Sequence, residues 1–190
     1  MSFPRALLAD EIPHREAKTR ELIAQLEQRI ELAETIKGTF NQRKTISVLP
    51  EPLHSHGTFG YDRRTGLEWE TLAPIANRLV FDDQGIRQSV DGQAVWEIDV
   101  SQPAVVTVTR VISSVLAADW STLQDYFSLS GSIDEQGWQL RLEPDDVVLA
   151  EIVSAIAVSG NRVLSRMTLL EANGDRTEIT FSVHGSTEQP

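Results

Sequence analysis

His54, Ser55 and His56 place two imidazoles at alternate positions of a candidate strand, on one face, which is how a pair of metal ligands can begin. A third ligand at matching spacing is missing, since His14 and His184 stand far off along the chain, so the expectation is an exposed histidine pair and no metal centre. Asp82-Asp83 and Asp145-Asp146 offer paired carboxylates. Neighbouring side chains diverge on a strand, however, and both pairs sit beside turn formers, so turn chemistry explains them better than general acid–base catalysis. The chain has no Gly-x-Ser-x-Gly elbow, no Ser-x-x-Lys with supporting motifs and no lysine-bearing glycine loop, and no catalytic residue is assigned. The reading is a protein that is not an enzyme and uses no cofactor.

Two other groups have a binding use. Trp69, Trp96, Trp120 and Trp138 can stack ligands, and on strand faces they can equally fill a core or line a cavity. Arg63-Arg64 precedes a turn; such a pair is commonly solvated, but at a cavity rim an arginine can hold a covering helix by its free carbonyls.

The elements that position these residues follow from periodicity. Leu22, Ile23, Leu26, Ile30, Ala33 and Ile36 recur at three- and four-residue steps, which predicts one amphipathic helix over residues 14–36, with Pro13 at its start and Gly38 at its end. From Thr39 the period becomes two, with Phe40, Gln42, Lys44, Ile46 and Val48 on one face. Alternating segments follow over 53–62, 67–72, 78–82, 86–90 and 94–99, separated by turns such as Asp82-Asp83-Gln84-Gly85 and Asp91-Gly92: an antiparallel meander. Residues 103–118 carry Val105, Val108, Ile112 and Val115 at helical spacing, and 121–127 opens with Ser121 and Gln124 as a capping box; together 103–127 reads as a helical insertion. Strands resume at Trp138, Leu140 and Leu142, then Ile152, Ile156 and Val158, with one helical turn after Pro144, and a final hairpin over 163–171 and 176–184. The fold class is α+β: about eleven antiparallel strands in one sheet that must curl or split, with the helices covering its concave side.

Composition narrows the function. One domain is expected from 190 residues, with residues 1–13 and 185–190 as flexible ends. A hydrophobic fraction of 41% suffices for a core, and 17 basic against 28 acidic residues give a net charge of −11, which argues against nucleic acid and against anionic headgroups. The absence of cysteine excludes disulfides, thiolate metal sites and an acylated N-terminal cysteine. No run approaches the roughly 18 apolar residues of a membrane span, and the opening residues are too short an apolar stretch for an export signal.

Three stretches in order, Gly38-Thr39-Phe40-Asn41-Gln42-Arg43-Lys44, Pro52-Leu53-His54-Ser55-His56-Gly57-Thr58-Phe59 and Gly66-Leu67-Glu68-Trp69-Glu70-Thr71-Leu72-Ala73-Pro74, resemble the outer-membrane lipoprotein carrier (LolA-type) family. Val115-Leu116-Ala117-Ala118-Asp119-Trp120, Trp138-Gln139-Leu140-Arg141-Leu142-Glu143-Pro144 and Gly174-Asp175-Arg176-Thr177-Glu178-Ile179-Thr180-Phe181 are similar to its divergent branch, so the resemblance spans about Leu22 to Val183. It implies a half-open β-barrel with a helical lid, an apolar cavity for acyl chains, a monomer in the periplasm, and hand-over from an inner-membrane ABC transporter to an outer-membrane receptor. On that basis the expected cavity lining is Leu67, Trp69, Leu79, Phe81, Trp96, Ile98, Trp138, Leu140 and Ile156, with Met167 a further apolar contributor. The lid is Val105, Val108, Ile112, Val115 and Leu116. The lid latch implied by the family matches Arg63, with Arg64 where typical members have proline; typical members carry a larger hydrophobic than Val105 or Val106, and divergent ones a glycine at Ala118. Those departures point to cargo other than the usual lipoproteins. The alternative is a regulatory sensor domain of the same fold that binds a lipoprotein or membrane partner without transport.

Overall fold

Alternation of buried and exposed side chains organises the chain from Ala33 onward. The structure, a computed structural model, describes residues 11–30, 33–82, 85–90, 93–99, 111 and 113–188, with side chains left aside at 11–16, 86, 88, 90, 93–99 and 186–188. Its helices are α1 (Glu11–Arg29), α2 (Trp120–Leu123) and α3 (Val147–Ala150), and residues 113–116 are also helical. Its strands are β1 (Ala33–Thr45), β2 (Leu53–Asp62), β3 (Gly66–Ala73), β4 (Asn77–Asp82), β5 (Gly85–Val90), β6 (Gln93–Asp99), β7 (Phe127–Ile133), β8 (Trp138–Pro144), β9 (Val153–Gly160), β10 (Leu164–Glu171) and β11 (Arg176–Glu188).

All strands lie in one antiparallel sheet of order β6-β5-β4-β3-β2-β1-β11-β10-β9-β8-β7. Consecutive strands pair within β1–β6 and within β7–β11, and β1 pairs with β11 and so joins the two meanders. The sheet is curled and unclosed. Its curvature is visible in the aromatic contacts: in a flat sheet β3 and β11 stand about 14 Å apart, yet the Trp69 and Phe181 ring centroids are 6.2 Å apart. The two edges, β6 and β7, are consecutive in sequence, so the connection containing the helical residues 113–116 and α2 must run from one edge to the other.

The concave face and the helices share one hydrophobic cluster, in which Phe40, Leu67, Leu142, Leu26, Val115 and Leu123 are fully buried. α1 contributes Ile23 and Leu26, with Ile30 just beyond its end, and its last residue anchors it: the Arg29 guanidinium donates to the carbonyl oxygens of Asp134 and Glu135 and to Asn161 Oδ1, the latter two at 3.1 and 3.3 Å. The helix is thus clipped to the β7–β8 and β9–β10 turns at one rim of the sheet.

Several expectations are corrected. The first helix ends at Arg29, seven residues before Ile36, and 33–36 belong to β1. A register shift between Ala33 and Thr35 explains the confusion, because it buries both Ala33 and Ile36 and so imitates a helical step inside a strand. Gly38 is therefore no helix terminator. A Cβ there would lie 2.3 Å from Ser182 O and 2.9 Å from Phe59 Cε1, so glycine is what lets β11 and β2 close on β1. The second helix is α2 alone, capped by the Asp119 carboxylate, which accepts from Thr122 N–H, and not by Ser121; Phe127 already starts β7. β7 itself was not foreseen, its Ser-Gly content hiding the alternation of Phe127 and Leu129. Ile152 is exposed ahead of β9, which buries Val153 instead. Residues 11–13 and 185–188, expected in flexible ends, belong to α1 and β11. The turn after Pro144 is as read: Asp146 caps α3 by accepting from Leu149 N–H.

Two predictions follow from the sheet centre. Gly38→Ala should cost about 2 kcal/mol or more in urea unfolding, whereas Gly60→Ala, where a Cβ meets nothing within 4 Å, should stay within about 0.5 kcal/mol. The Asp175 carboxylate accepts from Ser47 N–H at 2.9 Å and is held below the usual carboxylate range chiefly by that bond. Its stabilisation is present above the unfolded pKa of about 3.9 and is lost as pH falls through the lower folded value, so Asp175→Asn should flatten the acid limb of Tm against pH.

Candidate functional site

Where α1 leaves off and β1 begins, the concave face is not quite filled. Ile30 just past α1, Ala33 and Ile36 from β1, Phe59 from β2, Phe181 and Val183 from β11, Val163 and Leu164 at the β9–β10 turn, and Leu116 and Ala118 at the end of the central helical turn enclose a crevice lined by apolar side chains. Its free interior is about 20 Å³, the room of one water. An acyl chain enters only if the cover moves.

Leu116 and Ala118 form the cover's end. Residues 113–116 are helical, and the chain turns off in a Schellman motif: Asp119 N–H donates to Ser114 O at 2.8 Å and Ala118 N–H to Val115 O at 3.3 Å. Ala118 takes the left-handed position at φ 52°, where glycine is usual because a Cβ crowds the backbone. The β2–β3 turn sits at the same rim, since Arg63 N–H donates to Glu34 O at 3.0 Å, beside Ala33. Burial raises the pKa of Tyr61 on β2; the Arg63 guanidinium opposes the rise, and the carboxylates of Asp119 and Asp62 add to it.

Sequence reasoning placed the lining elsewhere on the same concave face. Leu67, Phe81, Trp138, Leu140 and Ile156 are buried in the packed core, and Trp69 and Leu79 pack half-buried against it; none of these lines the crevice. Trp96 and Ile98 lie in β6, but their side chains are outside the described residues, as are Val105, Val108 and Ile112. Val115 and Leu116 are buried, and Leu116 does line the crevice. Arg63 and Arg64 are exposed in the β2–β3 turn, and neither side chain makes a hydrogen bond or ion pair among the described residues. The missed lining, Ile36, Phe59, Phe181 and Val183, carried a period-two signal, but assigning Ile36 to a helix broke it.

Away from the crevice, Trp69 stacks on Phe40 with centroids 3.9 Å apart, and Trp120 meets Trp138 edge-to-face at 5.3 Å. Both latter indole N–H groups are buried without an acceptor among the described residues. His54 and His56 are exposed on β2, near Pro74 at the opposite rim, and no cluster of three metal-ligating side chains occurs among the described residues. At that rim gather Val48, Leu49, Leu53, Leu72, Ile75, Val147, Val148 and Ile152, the large hydrophobics exposed among the described residues.

A curled open sheet with an apolar crevice under a helical cover can be compared with known proteins. The family model described as "Outer membrane lipoprotein carrier protein LolA" matches residues 31–190. The chain belongs to the LolA family. Similar solved structures include a LolA superfamily protein, NE2245, from Nitrosomonas europaea (6% identity, 90% of this chain and 93% of that one, TM-score 0.47). Others are the Pseudomonas aeruginosa MucA/MucB complex (14% identity, 88% and 59%, TM-score 0.44) and LprF from Mycobacterium bovis (9%, 90% and 92%, TM-score 0.35). Among curated proteins there is no match.

In this LolA-family chain the left-handed Ala118 is the cover's weak point. Ala118→Gly should raise stability by up to about 1 kcal/mol in thermal unfolding, whereas Ala118→Val should lower it.

Proposed function

We propose that this protein is a non-enzymatic carrier that shelters the acyl chains of a lipoprotein or related lipid, and that the crevice under Leu116 and Ala118 is where the first chain enters. The observation that carries the reading is the crevice itself: ten apolar lining residues, none charged or polar, at the end of the cover. Each methylene sheltered is worth about 0.8 kcal/mol, so a long chain needs on the order of 10 kcal/mol of apolar contact, which the cluster beneath the cover offers once it parts. A carrier must also release, and a cover that closes the site when empty favours release. Leu67, Trp69, Leu79, Phe81, Trp138, Leu140 and Ile156 then serve as the deeper lining of the opened state, with Trp96 and Ile98 on the β6 side. Val105, Val108 and Ile112 extend the lid, and Arg63 is its latch at the crevice mouth, Arg64 staying solvated. Members of this family are generally periplasmic, and we place the protein there, as a monomer, receiving cargo from an inner-membrane ABC transporter and passing it to an outer-membrane receptor.

A second reading, a sensor domain that binds a partner without transport, draws support from the apolar rim of Val48, Leu53, Leu72 and Ile75 opposite the crevice, since clustered exposed hydrophobics mark interaction surfaces.

Native mass spectrometry with a triacylated lipopeptide and an unacylated control separates the two. The carrier reading expects a one-to-one, acyl-dependent adduct that weakens at least tenfold in Val183→Asp, at the half-buried crevice edge, and is unchanged in Leu72→Asp at the far rim. Absence of an acyl-dependent adduct with folded, lipid-free protein would contradict it and favour the sensor.

A further inference from the structure

β7 ends the sheet, and the outer side of its backbone can be read residue by residue. Asp134 N–H donates to Gly137 O, and Asp145 N–H to Tyr126 O, each at 2.9 Å, at the two ends of the β7–β8 ladder. With the register Phe127↔Pro144 through Ile133↔Trp138, antiparallel alternation makes Ser128, Ser130 and Ser132 the residues bonded to β8. Phe127, Leu129, Gly131 and Ile133 therefore turn N–H and C=O outward. Thr19 on α1 bears this out, its Oγ1 donating to Leu129 O at 3.4 Å. Gly131 and Ile133 have no such partner among the described residues.

Beside this bare edge runs a groove of about 480 Å³ between β7 and the α1 side chains of Lys18, Glu21, Leu22 and Gln25. A residue in a sheet occupies about 160 Å³, from ~3.3 Å rise, ~4.8 Å strand spacing and ~10 Å sheet thickness, so the groove takes about three residues of one added strand. The two sheet edges also differ in protection. β6 carries Glu97 and Asp99, whereas Phe127–Ile133 holds no charge and no proline, the usual guards against strand addition.

We propose that β7 is a peptide-docking edge: an extended segment of a partner polypeptide adds there as a twelfth strand, bonded to Gly131 and Ile133 and seated between β7 and α1. Alternate apolar side chains of the segment face Leu22, and the remainder are basic or neutral, matched to a chain of net charge −11. This surface is separate from the acyl crevice and stands or falls independently of it.

The probe is a fluorescein-labelled Lys-Val-Lys-Val-Lys-Val-Lys peptide, with an analogue N-methylated at every second amide that keeps charge and side chains. Fluorescence anisotropy should give saturable binding, at least tenfold weaker for the analogue, and NMR amide exchange at Gly131 and Ile133 should slow at least tenfold in the complex. Equal binding of the analogue would reveal charge attraction alone and overturn the proposal. So would no binding, protection elsewhere, or concentration-dependent protection of these amides without peptide, which would mean a second copy occupies the edge.

Discussion

One concave face, apolar on β1–β4 and β7–β11 of an unclosed eleven-stranded sheet, must be kept from water, and the rest of the molecule answers to that requirement. A closed barrel would bury the same residues by pairing its edges; here β6 and β7 stay apart, and the helices do the covering. α1 is held firmly, by Ile23, Leu26 and Ile30 below and by the Arg29 fork at its end. The central cover ends on a left-handed alanine, a residue type that resists that conformation. The crevice lies between these two parts of the covering.

That division reconciles a nearly filled interior with a carrier's task. Core packing at Phe40, Leu67 and Leu142 sustains the fold without cargo, so binding cannot rest on a standing void. On the proposed carrier reading, cargo replaces the contacts between cover and face with its own, and affinity is the difference between two apolar packings. Such a difference is small compared with the gross burial of an acyl chain, as suits a protein that must let go.

Much of this was legible in the sequence, for reasons visible residue by residue. Trp138, Leu140 and Leu142 alternate with charged or amide residues and are buried in the expected register. Asp146 caps α3 where Pro144 announced a turn. The failures arose where a local signal was ambiguous. A bulge gave Ala33 and Ile36 a helical spacing, and Gly38 looked like a terminator although its role is a three-strand close approach that only tertiary structure reveals. Which residues border the crevice was hidden for a related cause: period two says which residues face inward, but which inward residues border the cover depends on sheet curvature and on where the cover ends.

The most direct test of the central claim is an isotope-filtered NOE experiment on the protein saturated with a triacylated lipopeptide. Contacts between acyl methylene protons and the rings of Phe59 and Phe181, together with the Leu116 methyl groups, are the predicted result. Acyl contacts confined to the Val48, Leu72 and Ile75 rim, with Phe59, Phe181 and Leu116 unaffected, would contradict it.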